Sequence, residues 1–79
     1  MNIFEDILDT RSLTVIHYKI EDAMPSCIAL GSIEDQKAFA LILETNSLDE
    51  IWAIAHERLG QFEQAKALRD WIAKKTRRG

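Results

Sequence analysis

The sequence predicts an α+β domain: a short N-terminal helix, a small antiparallel β-sheet of two or three strands, and a C-terminal antiparallel helical hairpin. Three observations carry that expectation. The run "SLTVIHYKI" (residues 12–20) is dense in β-branched and aromatic side chains, which suit a pleated, half-buried surface. The run "SLDEIWAIAHERLG" (47–60) joins a capping signature to an apolar stripe at helical spacing and a glycine stop. At 79 residues the chain has the length of a single small domain, with 1–46 expected to hold helix and sheet and 47–76 the hairpin.

Taken in order, "NIFEDILDT" (2–10) sets Ile3, Phe4, Ile7 and Leu8 at helical spacing, the pattern of a short amphipathic helix. Read as a strand, residues 12–20 turn Thr14, Ile16, Tyr18 and Ile20 to one face and Leu13, Val15, His17 and Lys19 to the other. The first face is the more apolar and is expected to meet the core. "EDAMP" (21–25) punctuates, because Pro25 cannot donate to a ladder. "SCIALGSI" (26–33) reads as a second strand and "EDQK" (34–37) as a tight turn. "AFALILET" (38–45) reads as a third strand, with Phe39, Leu41 and Leu43 alternating. Residues 32–45 also read as a helix, since Ser32 and Asp35 stand at the spacing of a cap. Against that, "AFALIL" as a helix is apolar all round, which a small protein can scarcely bury.

From Ser47 onward the signals are helical. Ser47 and Glu50 form a capping box, the hydroxyl serving an exposed amide and the carboxylate reaching back to the Ser47 amide. Leu48, Ile51, Trp52, Ala55 and Leu59 make one stripe, and Gly60 suits a left-handed stop. A second helix starts near Gln61 and is expected to bury Phe62, Ala65, Leu68 and Ile72. So short a connection implies an antiparallel hairpin.

The bulk numbers narrow the class of function. With 47% apolar residues, three glycines and one proline, the composition is globular. One cysteine, Cys27, cannot form an internal disulfide and points to a reducing compartment. The acidic opening lacks the basic and apolar regions of a signal peptide, and no apolar run approaches the roughly 20 residues of a membrane span. A soluble, cytoplasmic protein without membrane partners is the expectation. Charge is uneven: residues 1–50 carry ten acids against three bases, a balance of −7, and residues 51–79 seven bases against three acids, a balance of +4. A basic helix end suits the macrodipole; it also suits an acidic partner.

The run "FEQAKALRDWI" (62–72), preceded by "IAHERLG" (54–60), resembles the UVR motif of bacterial excision-repair and Clp-type proteins. Phe62, Glu63, Ala65, Leu68, Arg69 and Asp70 match that motif. The resemblance covers about a third of the chain and implies a helical hairpin that docks on another protein. Leu59 stands one residue too far from Phe62, and Lys66 replaces the second small alanine. The same run is similar to half of a tetratricopeptide repeat, and one repeat alone is not a fold.

Signals for chemistry are weak. Cys27, His17 and His56 invite a nucleophile and base, yet Cys27 lies in an apolar run where a thiol acts as a small hydrophobe. No CxxC or HxxxH spacing points to a metal, and isolated Gly31 and Gly60 make no phosphate loop. No cofactor and no catalytic residue are expected. A helix-turn-helix around Gly60 is opposed by Lys66, where an apolar contact is needed, and by Glu63 and Asp70, where phosphates would approach.

Trp71 is the most informative residue. It stands about 100° around the last helix from Ile72, among Gln64, Lys74, Lys75 and Arg78. It either packs on the rest of the domain or is an exposed anchor ringed by bases. On the second alternative the expected function is non-enzymatic binding of another protein or complex, as an adaptor or inhibitor. Gln64, Trp71, Lys74, Lys75, Arg77 and Arg78 are then the partner-binding set, with the bases as a steering rim. Small acidic proteins that block basic surfaces, as immunity proteins and phage-encoded inhibitors do, offer an analogy of size and charge. Nucleic-acid binding through the basic end is the rival, opposed by the acidic first 50 residues, and a homodimer through the same helix is a third possibility.

Overall fold

The computed structural model describes residues 2–76. Among these described residues five helices follow one another: α1 (Ile3–Leu8), α2 (Leu13–Leu30), α3 (Ile33–Glu44), α4 (Leu48–Arg58) and α5 (Phe62–Thr76). Among the described residues there is no strand, so the expected sheet is absent and the fold is all-helical rather than α+β.

The correction falls on residues 12–45 and has a readable cause. Ile16 and Ile20 are four apart, a spacing that satisfies both a two-residue and a helical repeat. Both are fully buried. Their neighbours decide between the periods. Tyr18, which a strand would turn to the core with them, is 68% exposed. Leu13, Ala23, Met24 and Cys27, which continue the helical stripe, pack in or against the core. Pro25 does not end α2, because it sits on the solvent side. There the carbonyl that loses its amide partner can be hydrated instead. Gly31, at φ 72°, ends α2 in the left-handed region. "GS" at 31–32 is thus a helix stop followed by a helix start, not the end of a strand.

α3 takes the helical alternative for 32–45, burying Ala38, Phe39 and Ile42. The Ser32 hydroxyl makes no cap bond. The objection that this helix is too apolar to bury is met by leaving part of it uncovered: Leu41 remains 54% exposed. Ile28, Leu30 and Ile33, around the α2–α3 turn, are exposed as well.

α1, α4 and α5 stand where their sequence signals lie. Ser47 accepts from the Glu50 amide at 3.3 Å, but the return arm of the box is relayed. The Ser47 amide donates to Thr45 Oγ1 at 3.2 Å, and that hydroxyl donates to Glu50 Oε2 at 2.8 Å. At the far end of α4 the Gly60 amide bonds the Glu57 carbonyl and the Gln61 amide the His56 carbonyl. With Gly60 at φ 77°, this is the Schellman arrangement that satisfies the last carbonyls of a helix.

The core joins Phe4 and Ile7 of α1, Ile16, Ile20 and Cys27 of α2, Ala38, Phe39 and Ile42 of α3, and Ile51, Ile54 and Ala55 of α4. The Phe4 and Phe39 rings are tilted at 51° with centroids 5.5 Å apart, within the separation at which aromatic pairs attract. α4 is the central element: it packs against α1, α3 and α5. α5 lies on the outside of α4 and contributes Ala65 as its one buried residue. The molecule is elongated, 45 × 25 × 20 Å, and helix faces are left uncovered.

Candidate functional site

α5 is fastened to α4 by charge at both ends of their contact. The Arg69 guanidinium donates twice to the Glu57 carboxylate, both at 2.8 Å, and Lys75 Nζ meets Asp49 Oδ2 at 2.9 Å. Asp49 and Glu57 flank Ala53 at intervals of one turn, so these three face α5 along one row. Two pairs running in opposite order along the helices make the hairpin antiparallel. The bidentate bond from Arg69 holds the Glu57 carboxyl below its ordinary pKa against an opposing effect of burial, and raises that of Arg69.

Trp71 is 54% exposed, on the flank of α5 turned away from the core. Lys75 Nζ lies 5.9 Å from its ring centroid, within reach of a cation–π contact. Gln64 and Lys74 are exposed, and among the described residues Lys74 has no carboxylate partner. Lys75 is exposed but committed to Asp49, so its charge is partly spent inside the molecule. Arg77 and Arg78 lie outside the described residues.

Phe62, expected to be buried, is 68% exposed. Helical angle explains this: Phe62 stands about 120° around α5 from Leu68 and about 80° from Ile72, off the row that faces α4. Ala65 is buried and Leu68 and Ile72 half-buried, as their shared stripe requires.

Beside α5 lies a cleft of about 330 Å³, lined by Leu41, Glu44 and Thr45 from the end of α3, Glu50 and Ile54 from α4, and Arg69 from α5. Periodicity alone could not place it, since it needs three helices side by side. Glu50 Oε2 is occupied by the Thr45 hydroxyl, and Glu44 has no hydrogen-bond or ion-pair partner among the described residues. Arg69 is held by Glu57. The charge of Glu50 also acts on the Arg69 guanidinium, so the carboxylate of the cleft without a partner among the described residues is that of Glu44.

The residues weighed for catalysis are engaged elsewhere. His17 Nε2 donates to the carbonyls of Ile42 and Thr45 at 3.0 and 3.1 Å; since both partners only accept, Nε2 carries the proton. The ring so caps the C-terminal end of α3, where carbonyls lack intrahelical donors. His56 Nδ1 donates to Gln61 Oε1 at 2.7 Å. Cys27 is buried, its thiol directed at the Ser32 carbonyl at 3.7 Å. Burial, and secondarily the charge of Asp35, push the thiol pKa up, away from the thiolate a nucleophile needs. Among the described residues no three His, Cys, Asp or Glu side chains group as a metal site. Nor, among the described residues, is any helix long and apolar enough to cross a membrane.

No protein-family model, curated protein or solved structure matches this chain.

Proposed function

We propose that the chain is a small, non-enzymatic protein-binding module of the cytoplasm, an adaptor or an inhibitor, that docks through the Trp71 flank of α5. The observation that carries this reading is an exposed tryptophan on a helix fastened to its support on one side only. Tryptophan offers a large, rigid contact area, and truncating such an anchor costs more than truncating its surroundings. Gln64 and Lys74 complete the patch, with Lys75 Nζ over the ring as a positioning charge. The likeness of residues 62–72 to a UVR docking hairpin supports the same use of this segment.

Nucleic-acid binding is the weaker reading. Lys66, Arg69 and Lys75 are paired with Asp70, Glu57 and Asp49, so three bases of α5 face their own acids rather than a phosphate. Capture from native lysate, with and without nuclease, tests the choice. A protein partner that survives nuclease and is lost with Trp71→Ala is the expected result. Loss of all partners on nuclease treatment, or capture unaffected by Trp71→Ala, overturns the assignment.

A further inference from the structure

A knob and a cleft lie on opposite flanks of α5. Arg69, which lines the cleft, and Trp71 are two residues apart, so they point about 160° away from each other around the helix. They sit at nearly the same height along it. The knob is an indole with an N–H donor and, beside it, the ammonium of Lys74. The cleft is lined by apolar Leu41 and Ile54 and by the carboxylate of Glu44, which has no partner among the described residues. Each property of one is answered by the other. A buried indole ring needs apolar contacts and an acceptor for its N–H. An unpaired lysine, Lys74, answers the unpaired Glu44 carboxylate. A volume of about 330 Å³ is at the small end of pockets that enclose a ligand, the scale of one large side chain rather than a cofactor.

We propose that the occupant of the cleft is Trp71 of a second copy of this chain. This rests on the reading of Trp71 as a docking residue and names its partner. The contact is head-to-tail: each copy gives its knob to one neighbour and its cleft to another. Such an interface closes into a ring or grows as a filament. A twofold contact through the Trp71 flanks is disfavoured, because it sets Lys74 against its own mate. The head-to-tail contact instead sets Lys74 of one copy against Glu44 of the next.

Sedimentation velocity over a concentration series tests this with three proteins: wild type, Trp71→Ala, and the double variant Leu41→Lys/Glu44→Lys. All three altered side chains are exposed, and circular dichroism checks that the helices persist. Wild type is expected to associate as concentration rises, less so at high salt. Each variant is expected to associate at least about 30-fold more weakly, the scale of a lost tryptophan anchor. Mixed in equal amounts, the two variants are expected to form a dimer and nothing larger, because one retains only the cleft and the other only the knob. A mixture that stays monomeric, or a cleft variant that associates like wild type, overturns the proposal. So does a wild type that is monomeric throughout. If Trp71→Ala still abolishes capture of a different protein in that last case, the docking reading stands and only self-assembly falls.

Discussion

The helical assignment of residues 13–30 is tested most directly by two alanines placed two residues apart. A strand turns Tyr18 and Ile20 to the same face; a helix separates them by about 200°. In the structure Ile20 is fully buried against the core and Tyr18 is 68% exposed. Ile20→Ala removes buried carbons and leaves a cavity, at a cost of about 2–5 kcal/mol. A chain of 79 residues has a total stability of roughly 4–12 kcal/mol at the usual value per residue. The substitution therefore takes away a large fraction of it. At about 4–8 °C per kcal/mol for a domain of this size, a loss of 3 kcal/mol lowers Tm by about 12–24 °C. Tyr18→Ala removes surface contacts only and improves helix propensity, so its net effect stays within about 0.5 kcal/mol. Urea titrations followed by far-UV circular dichroism give both values. Equal losses at the two positions, or a loss above about 1.5 kcal/mol at Tyr18, would refute the packing described for α2.

Three other expectations follow from single contacts. Gly31→Ala meets no atom within 4 Å of the new Cβ, so its cost of about 1 kcal/mol is purely that of holding an L-residue at positive φ; a neutral result in the same titration would mean that α2 does not end in the left-handed region. Glu57→Gln removes a carboxylate whose folded pKa is depressed by Arg69. The stabilisation is fully present above the ordinary value of 4.5 and is lost as pH falls through the lower folded value. Because the pair is partly exposed it is worth under about 1 kcal/mol, read as the wild-type-minus-variant stability at pH 7 and in an acid series below the ordinary value, along which the difference should shrink. Cys27 should react with a thiol reagent about 100-fold or more slower in the native state than in urea, since labelling requires opening of α2. With its folded pKa raised, its contribution to stability is present below about pH 9 and declines as pH rises toward the folded value.

Legibility along the chain varied with the kind of signal. The capped stripe from Ser47 to Gly60 carries its own start, face and stop, so α4 is readable from neighbouring residues alone. Residues 13–20 carry a period compatible with two structures. β-Branched content weighed toward strand, as propensity does only weakly against packing. The tie is broken by Ala23, Met24 and Cys27, which extend the stripe past the apparent strand end, and by the stop–start pair Gly31–Ser32. Those signals were present in the sequence, but Pro25 concealed the continuity. An exposed proline is tolerated in a helix that a buried one would break, and exposure is not a local property.

The candidate site divides in the same way. That Trp71 stands off the buried stripe of the last helix followed from spacing, because helical angle depends only on position in sequence. Whether that flank was covered did not follow. It depended on α5 lying outside α4 rather than inside a sheet-backed core, and on the register set by Glu57–Arg69 and Asp49–Lys75. The cleft between α3 and α5 was beyond the sequence altogether. Leu41, Glu50 and Arg69 are brought together by pairings such as Arg58–Asp35, 23 residues apart. Local physics along the chain determined where the last two helices start and stop and, Phe62 apart, where they turn their apolar sides. Only the tertiary structure decided which of those sides is left for a partner, because exposure is set by what packs from elsewhere in the chain.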